Sequence, residues 1–151
     1  MRFGRLAVED VNGPDYKFEL GKGVQLKDGK DVSIIATGLM VQEALKAAEM
    51  LKADGIDARV INIHTIKPID EEIILKAAKE TGAIVTAEEH YIMGGLGSAV
   101  TEVVCAGAPC PVKIIGTDRY GKSGKPNELF VEYGLTAENI AAKAKEAIAM
   151  K

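Results

Sequence analysis

Ala83-Ile-Val-Thr-Ala87, Glu88-Glu89-His90-Tyr91-Ile92-Met93, Gly94-Gly95-Leu96-Gly97 and Ser98-Ala-Val100-Thr-Glu-Val103-Val104 follow one another without a break in the middle of the chain. The first piece is a short apolar run bounded by Gly82, the pattern of a buried strand. The last piece spaces Leu96, Val100, Val103 and Val104 on one helical face. Between them lie an acidic-histidine tip and a glycine cluster. A strand, a polar tip and a glycine-opened helix is how an α/β sheet presents residues at the carboxyl edge of its strands.

The same alternation extends in both directions from this stretch. Val32-Ser-Ile-Ile-Ala-Thr37 predicts a buried strand, and after Gly38 a helix carries Val41, Ala44, Leu45, Ala48 and Leu51 on one face. Gly55 ends that helix in a left-handed position. Ala58–Ile63 predicts the next strand, and His64–Ile69 a loop, because Pro68 lacks a donor and holds Lys67 extended. Asp70 is placed to cap a helix whose first turn holds Glu71 and Glu72 and whose stripe is Ile73, Ile74 and Ala77. After the central stretch come a strand over Val112–Gly116 and a basic loop, Asp118–Pro126. A short helix from Asn127 to about Tyr133 follows, closed by Gly134. Thr136 caps the last helix, with Ile140, Ala141, Ala144 and Ile148 inward. Strands recur about every 25 to 30 residues, the length of a βαβ unit. The fold class is therefore α/β, a three-layer α/β/α arrangement around a mostly parallel sheet. Upstream, Tyr16–Leu20 and Val24–Lys27 are expected as two short extended pieces, with Val24–Lys27 an edge strand.

Composition limits the function. The 151 residues suit one domain, and 47% apolar content is enough for a core filled by aliphatic residues. The net charge of −3, with interspersed signs, argues against a nucleic-acid partner. No apolar run is long enough to span a membrane, and Met1–Arg5 does not begin a secretory signal. Cys105 and Cys110 form no zinc pattern and read as reduced thiols of a cytoplasmic protein.

Three groups of residues are candidates for chemistry or binding. Gly95-Leu-Gly97-Ser-Ala-Val100, with Asp118 after the next strand, partly matches a dinucleotide fingerprint. Val at the third position and the long connection from Glu88 to Gly94 favour instead a glycine-rich helix start that lets backbones pack closely. Glu88, Glu89 and His90, followed by Gly94, Gly95 and Gly97, could be acid/base machinery or a contact edge for another domain. Alternation on a strand puts Glu88 and His90 on one side and Glu89 on the other. His64 and His90 would need a carboxylate on the same edge to hold a metal, so no metal ligand is assigned. Arg119, Lys122, Ser123 and Lys125 form a candidate anion site before a helix. No serine-nucleophile motif or phosphate-cradling Gly-Lys loop is present.

Val85-Thr-Ala-Glu-Glu-His-Tyr-Ile-Met-Gly-Gly-Leu-Gly-Ser-Ala-Val100 resembles the C-terminal domain of transketolase, in which an acidic pair and His-Tyr precede a Gly-Gly-x-Gly helix start. Asp118-Arg-Tyr-Gly-Lys-Ser-Gly-Lys-Pro-Asn-Glu-Leu129 resembles the same family's Ser-Gly-Lys-Pro-x-Glu-Leu segment. Asp31–Gly38 and Ile61–Asp70 also fit. Two sister families share the domain: deoxyxylulose-phosphate synthase and the decarboxylating subunits of 2-oxo acid dehydrogenases. The resemblance implies a five-stranded mixed sheet with one antiparallel strand, Val24–Lys27. Residues 1–30 would be the end of a preceding pyrimidine-binding domain, a linker and that edge strand. Met1–Arg5 would be the preceding domain's last strand, and residues 31–151 the C-terminal domain proper.

The parent reaction implied is two-carbon ketol transfer between sugar phosphates, in the pentose phosphate pathway of the cytoplasm. It needs thiamine diphosphate and Mg, held by domains whose motifs this chain lacks. No catalytic or cofactor-binding residue is therefore expected here. Arg2 or Arg5 could match the family's sugar-phosphate arginine. The expected partners are the remaining transketolase domains or an N-terminal subunit, in a homodimeric parent. The chain itself would be a docking, oligomerisation or regulatory lobe, inactive alone.

Overall fold

The computed structural model describes residues 6–151. Met1–Arg5, and with them Arg2 and Arg5, lie outside the described residues. Ten elements follow in the order β1 (Val24–Lys27), β2 (Val32–Ala36), α1 (Met40–Ala53), β3 (Ala58–Asn62), α2 (Glu71–Thr81), β4 (Ile84–Tyr91), α3 (Leu96–Gly107), β5 (Val112–Thr117), α4 (Pro126–Glu132) and α5 (Ala137–Ile148). The five strands form one sheet in the order β1-β3-β2-β4-β5. Strands β3, β2, β4 and β5 run parallel, and β1 pairs antiparallel to β3 at the edge.

Every residue of the central strand β2 is buried, because helices cover both sides of the sheet. Val32, Ile34 and Ala36 pack with Met40, Ala44 and Leu51 of α1 and with Ile140 and Ala144 of α5. The alternate residue Ile35 packs on the other side with Ile61, Ile74 of α2, and Leu96 and Val100 of α3. This period-2 split of one strand between two cores makes the three layers.

The expected helix ends hold. Gly55 lies at φ +78°, and the N–H of Ile56 donates to the Leu51 carbonyl at 2.9 Å, closing α1. One Asp70 oxygen accepts from the Ile73 N–H at 3.3 Å, and Gly82 ends α2 at φ +66°. Asp70 does more than cap: its second oxygen accepts from the Gly23 N–H at 2.9 Å, which ties the chain before β1 to α2.

Two expectations are corrected. Tyr16–Leu20 has the alternation of a strand but joins no ladder, because β1 already occupies the free edge of β3. The apolar run over Ala83–Ala87 predicts a strand that stops before the polar tip, yet β4 runs to Tyr91. The cause lies on the neighbouring strand. After a register shift Tyr91 pairs with Thr117, and the Ile92 N–H donates to the Thr117 carbonyl at 2.9 Å. Gly116 allows this close approach, since a Cβ there would stand 2.7 Å from the His90 carbonyl oxygen.

Candidate functional site at the carboxyl edge of the sheet

Strand β4 carries Glu88 to the start of α3, where the first turn leaves backbone N–H groups without partners inside the helix. Glu88 is only 1% exposed. Its Oε2 accepts from the Leu96 N–H at 2.8 Å and its Oε1 from the Gly97 N–H at 2.9 Å. A carboxylate at a helix N-terminus is favoured both by these bonds and by the helix dipole. Glu88 therefore acts as a cap supplied from the preceding strand.

The glycines serve the same contact. A Cβ on Gly95 would fall 2.1 Å from Glu88 Oε2, and one on Gly97 would meet Ile114 Cγ2 at 2.5 Å and Thr86 Oγ1 at 2.9 Å. The first turn of α3 thus lies flat on β4 and β5. Ser98 clasps the preceding loop: the Gly94 N–H donates to its Oγ at 2.8 Å, and that hydroxyl donates to the Ile92 carbonyl at 3.1 Å. Gly94 takes φ +79° within that loop. Sequence reasoning missed Ser98, although a hydroxyl one residue after Gly-Gly-x-Gly was a usable signal.

The remaining candidates separate. His90 is exposed, and its Nδ1 lies 3.0 Å from the Tyr91 carbonyl. Glu89 is half-buried beside Thr117 and Arg119, around a hollow of about 350 Å³. His64 lies after β3, bonded through Nδ1 to Thr65 Oγ1 at 2.8 Å, with its ring centroid 4.7 Å from that of Phe18. Among the described residues no three His, Cys, Asp or Glu side chains group as metal ligands.

The basic loop is held by its own acids. The Arg119 guanidinium lies 5.0 Å from the Tyr133 ring centroid and donates to the Glu132 carbonyl at 2.8 Å. Lys122 is bonded to the Glu132 carboxylate, and Lys125 lies 3.8 Å from Glu128. Lys122, and after it Arg119, hold the Glu132 carboxyl below its usual range. Ser123 is exposed on the same loop. Asp118, the ribose-binding candidate, pairs with Arg119 at 3.7 Å.

Several apolar side chains on this edge are open to solvent. Met93 is 69% exposed, and Tyr91 and Ile66 are also uncovered. Beside them a groove of about 690 Å³ runs between α2 and α3, lined by Ile69, Leu75, Gly95 and Val103 among others. Cys105 is exposed, and burial raises the half-buried Cys110 thiol. Among the described residues no helix is long and apolar enough to cross a membrane.

Residues 21–140 match the family described as transketolase, C-terminal domain. The chain is 45% identical over 147 residues to the 6-deoxy-6-sulfo-D-fructose transketolase subunit of Clostridium sp. (strain MSTE9), covering 97% of this chain and 46% of that protein. It is 47% identical over 129 residues to the 1-deoxy-D-xylulose-5-phosphate synthase of Heliobacterium modesticaldum, covering 84% of this chain and 20% of the synthase. Its fold matches that of a split-gene transketolase solved as an inactive β4 tetramer, with a TM-score of 0.93 and 47% identity over 95% of this chain and 48% of the other. The chain spans about half the length of the transketolase subunits it matches.

Proposed function

The chain belongs to the transketolase C-terminal domain family, and from that premise we propose that it is the carboxyl-terminal lobe of a split transketolase, serving contact rather than chemistry. The parent enzyme would move a two-carbon ketol unit between sugar phosphates, using thiamine diphosphate and Mg bound by its other parts. The observation that carries this reading is the Glu88 carboxylate on the Leu96 and Gly97 N–H groups. A phosphate bound at the glycine corner would need those same donors. The acid fills the place, and no Cβ-sized space separates Gly95 from it. The residues at this corner do not fit a diphosphate, so no step of the reaction is assigned to them.

The candidate contact edge consists of Glu88, Glu89, His90, Gly94, Gly95 and Gly97. Glu88, Gly95 and Gly97 shape it from within, and His90, Gly94 and the exposed Met93 face outward. The remaining transketolase domains, or a separate N-terminal subunit, would dock there in a homodimeric parent. Arg2 or Arg5 would contact the sugar phosphate in that assembly. The basic loop with Arg119, Lys122, Ser123 and Lys125 is a weaker candidate for an anion, because Glu132 and Glu128 already pair its cations.

The subunit reading is favoured over the synthase by coverage: the transketolase subunit aligns along 97% of this chain, the synthase along 84%. A cytoplasmic site and pentose phosphate substrates belong to the same proposal. A donor panel containing both xylulose 5-phosphate and 6-deoxy-6-sulfo-D-fructose, assayed on the reassembled enzyme, tests the substrate. Calorimetry with thiamine diphosphate and Mg tests the lobe reading: the chain alone is expected to give no saturable heat. Stoichiometric binding would overturn it.

A further inference from the structure

The two edges of the sheet are unlike. Strand β1 is four residues long, and a register shift between Gln25 and Lys27 breaks its pairing with β3. Shortness and a bulge both turn a sheet edge away from further pairing. Strand β5 has six residues, and its ladder with β4 runs without a shift from Val112 to Ile115. Its other side pairs with no strand among the described residues. The Ile84 N–H donates to the Pro111 carbonyl and the Ile92 N–H to the Thr117 carbonyl, both at 2.9 Å. Odd-numbered residues therefore turn their backbone groups towards β4, and alternation points those of Val112, Ile114 and Gly116 outward.

The strand carries little to guard that open side. Val112, Ile114 and Ile115 are β-branched and uncharged. Lys113, the one charge within the strand, lies 3.3 Å from Glu146 and is drawn onto the α5 layer. Ile114 is 37% exposed, although it also lies against α3, where a Cβ on Gly97 would stand 2.5 Å from its Cγ2. The sequence of β5 is also self-complementary. If two copies pair antiparallel, centring on Ile114 sets Ile114 opposite itself and Val112 opposite Gly116, so all three outward residues find backbone partners. The same register sets Lys113 opposite Ile115 of the second copy, so the two lysines do not meet. A two-fold axis between the paired Ile114 residues closes the assembly at two copies. The edges then left are the two blunted β1 strands.

We propose that β5 is a self-association surface, through which two copies of this chain join antiparallel, centred on Ile114, into one continuous sheet. The inference does not depend on which partner meets the carboxyl edge, so its failure leaves the lobe reading standing. Sedimentation equilibrium of the chain at micromolar to millimolar concentration is expected to show a monomer–dimer equilibrium. Ile114→Lys and Ile114→Glu each place two like charges about 5.5 Å apart at Cα across the axis, and each should weaken the dimer at least tenfold. Mixing the two variants in equal amounts should restore it, because only this register puts residue 114 opposite itself. An isotope-filtered NOE between the Hα atoms of Lys113 and Ile115 of different copies is expected in the unsubstituted dimer, and it decides the matter should either variant fail to fold. A chain that stays monomeric throughout overturns the inference. So does a dimer that both substitutions leave unchanged, a mixture of folded variants that stays monomeric, or a dimer without that NOE.

Discussion

Replacing Glu88 tests the site most directly. In Glu88→Gln one amide oxygen can still accept from Leu96 or Gly97, but the NH2 group then faces the other backbone N–H, donor against donor. The structure has two buried bonds at 2.8 and 2.9 Å to lose. Leaving a buried N–H without a partner costs about 1–3 kcal/mol. Losing the negative charge at the start of α3 adds about 0.3–1 kcal/mol. Glu88→Gln should therefore cost about 1–4 kcal/mol, a sizeable part of a stability of order 5–15 kcal/mol. At roughly 2–4 °C per kcal/mol for a domain of this size, the melting temperature falls by roughly 3–16 °C. Glu102→Gln, an exposed acid further along the same helix, is the control and should stay within about 0.5 kcal/mol. A double-mutant cycle sharpens the test. Gly95→Ala places a Cβ 2.1 Å from Glu88 Oε2 and should expel the carboxylate. In a Glu88→Ala background the clash with the carboxylate is gone, so the two changes should couple by about 1 kcal/mol or more. Urea denaturation of the four chains supplies the numbers. A Glu88→Gln chain as stable as the parent, or a Gly95→Ala cost that is equal in both backgrounds, would refute the capping argument.

Three further outcomes follow from the same geometry. Gly97→Ala should lose about 1–3 kcal/mol by chemical denaturation, because its Cβ presses on Ile114 and Thr86; the gain in helix propensity, about 1 kcal/mol, does not offset the clash. Asp70→Ala should cost about 1–3 kcal/mol, as it removes the α2 cap and the partner of the part-buried Gly23 N–H together. Glu132 is held below its ordinary range chiefly by its bond to Lys122, so its hold on the basic loop is complete above the usual carboxylate range. It is lost as pH falls through the lowered value. The side-chain NMR shifts of Lys122 and Arg119 should then change in acid through that value, and Glu132→Gln should abolish the change.

Much of the fold follows from local chemistry alone. The caps at Asp70 and Thr136, the left-handed Gly55, Gly82 and Gly134, and the stripes of α1, α2 and α5 are all set by residues within one turn of each other, so they are legible without coordinates. The antiparallel direction of β1 came from resemblance, because four residues with no helix before them carry no sign of their direction. Which of two alternating segments would join the sheet was decided by which one the edge of β3 could accept, a competition invisible in Tyr16–Leu20 itself. The length of β4 was likewise set from outside, by Gly116 and Thr117 on the adjacent strand. The glycine run announced close packing, but only the third dimension identified what it packs against. Eight residues separate Glu88 from Leu96 along the chain, and a strand reversing into a helix closes that gap to a hydrogen bond. Sequence therefore determined the elements and placed an acid near a glycine corner. The tertiary structure decided that this acid is spent on the helix, because only the packing of α3 across β4 brings its two free N–H groups within reach of the carboxylate.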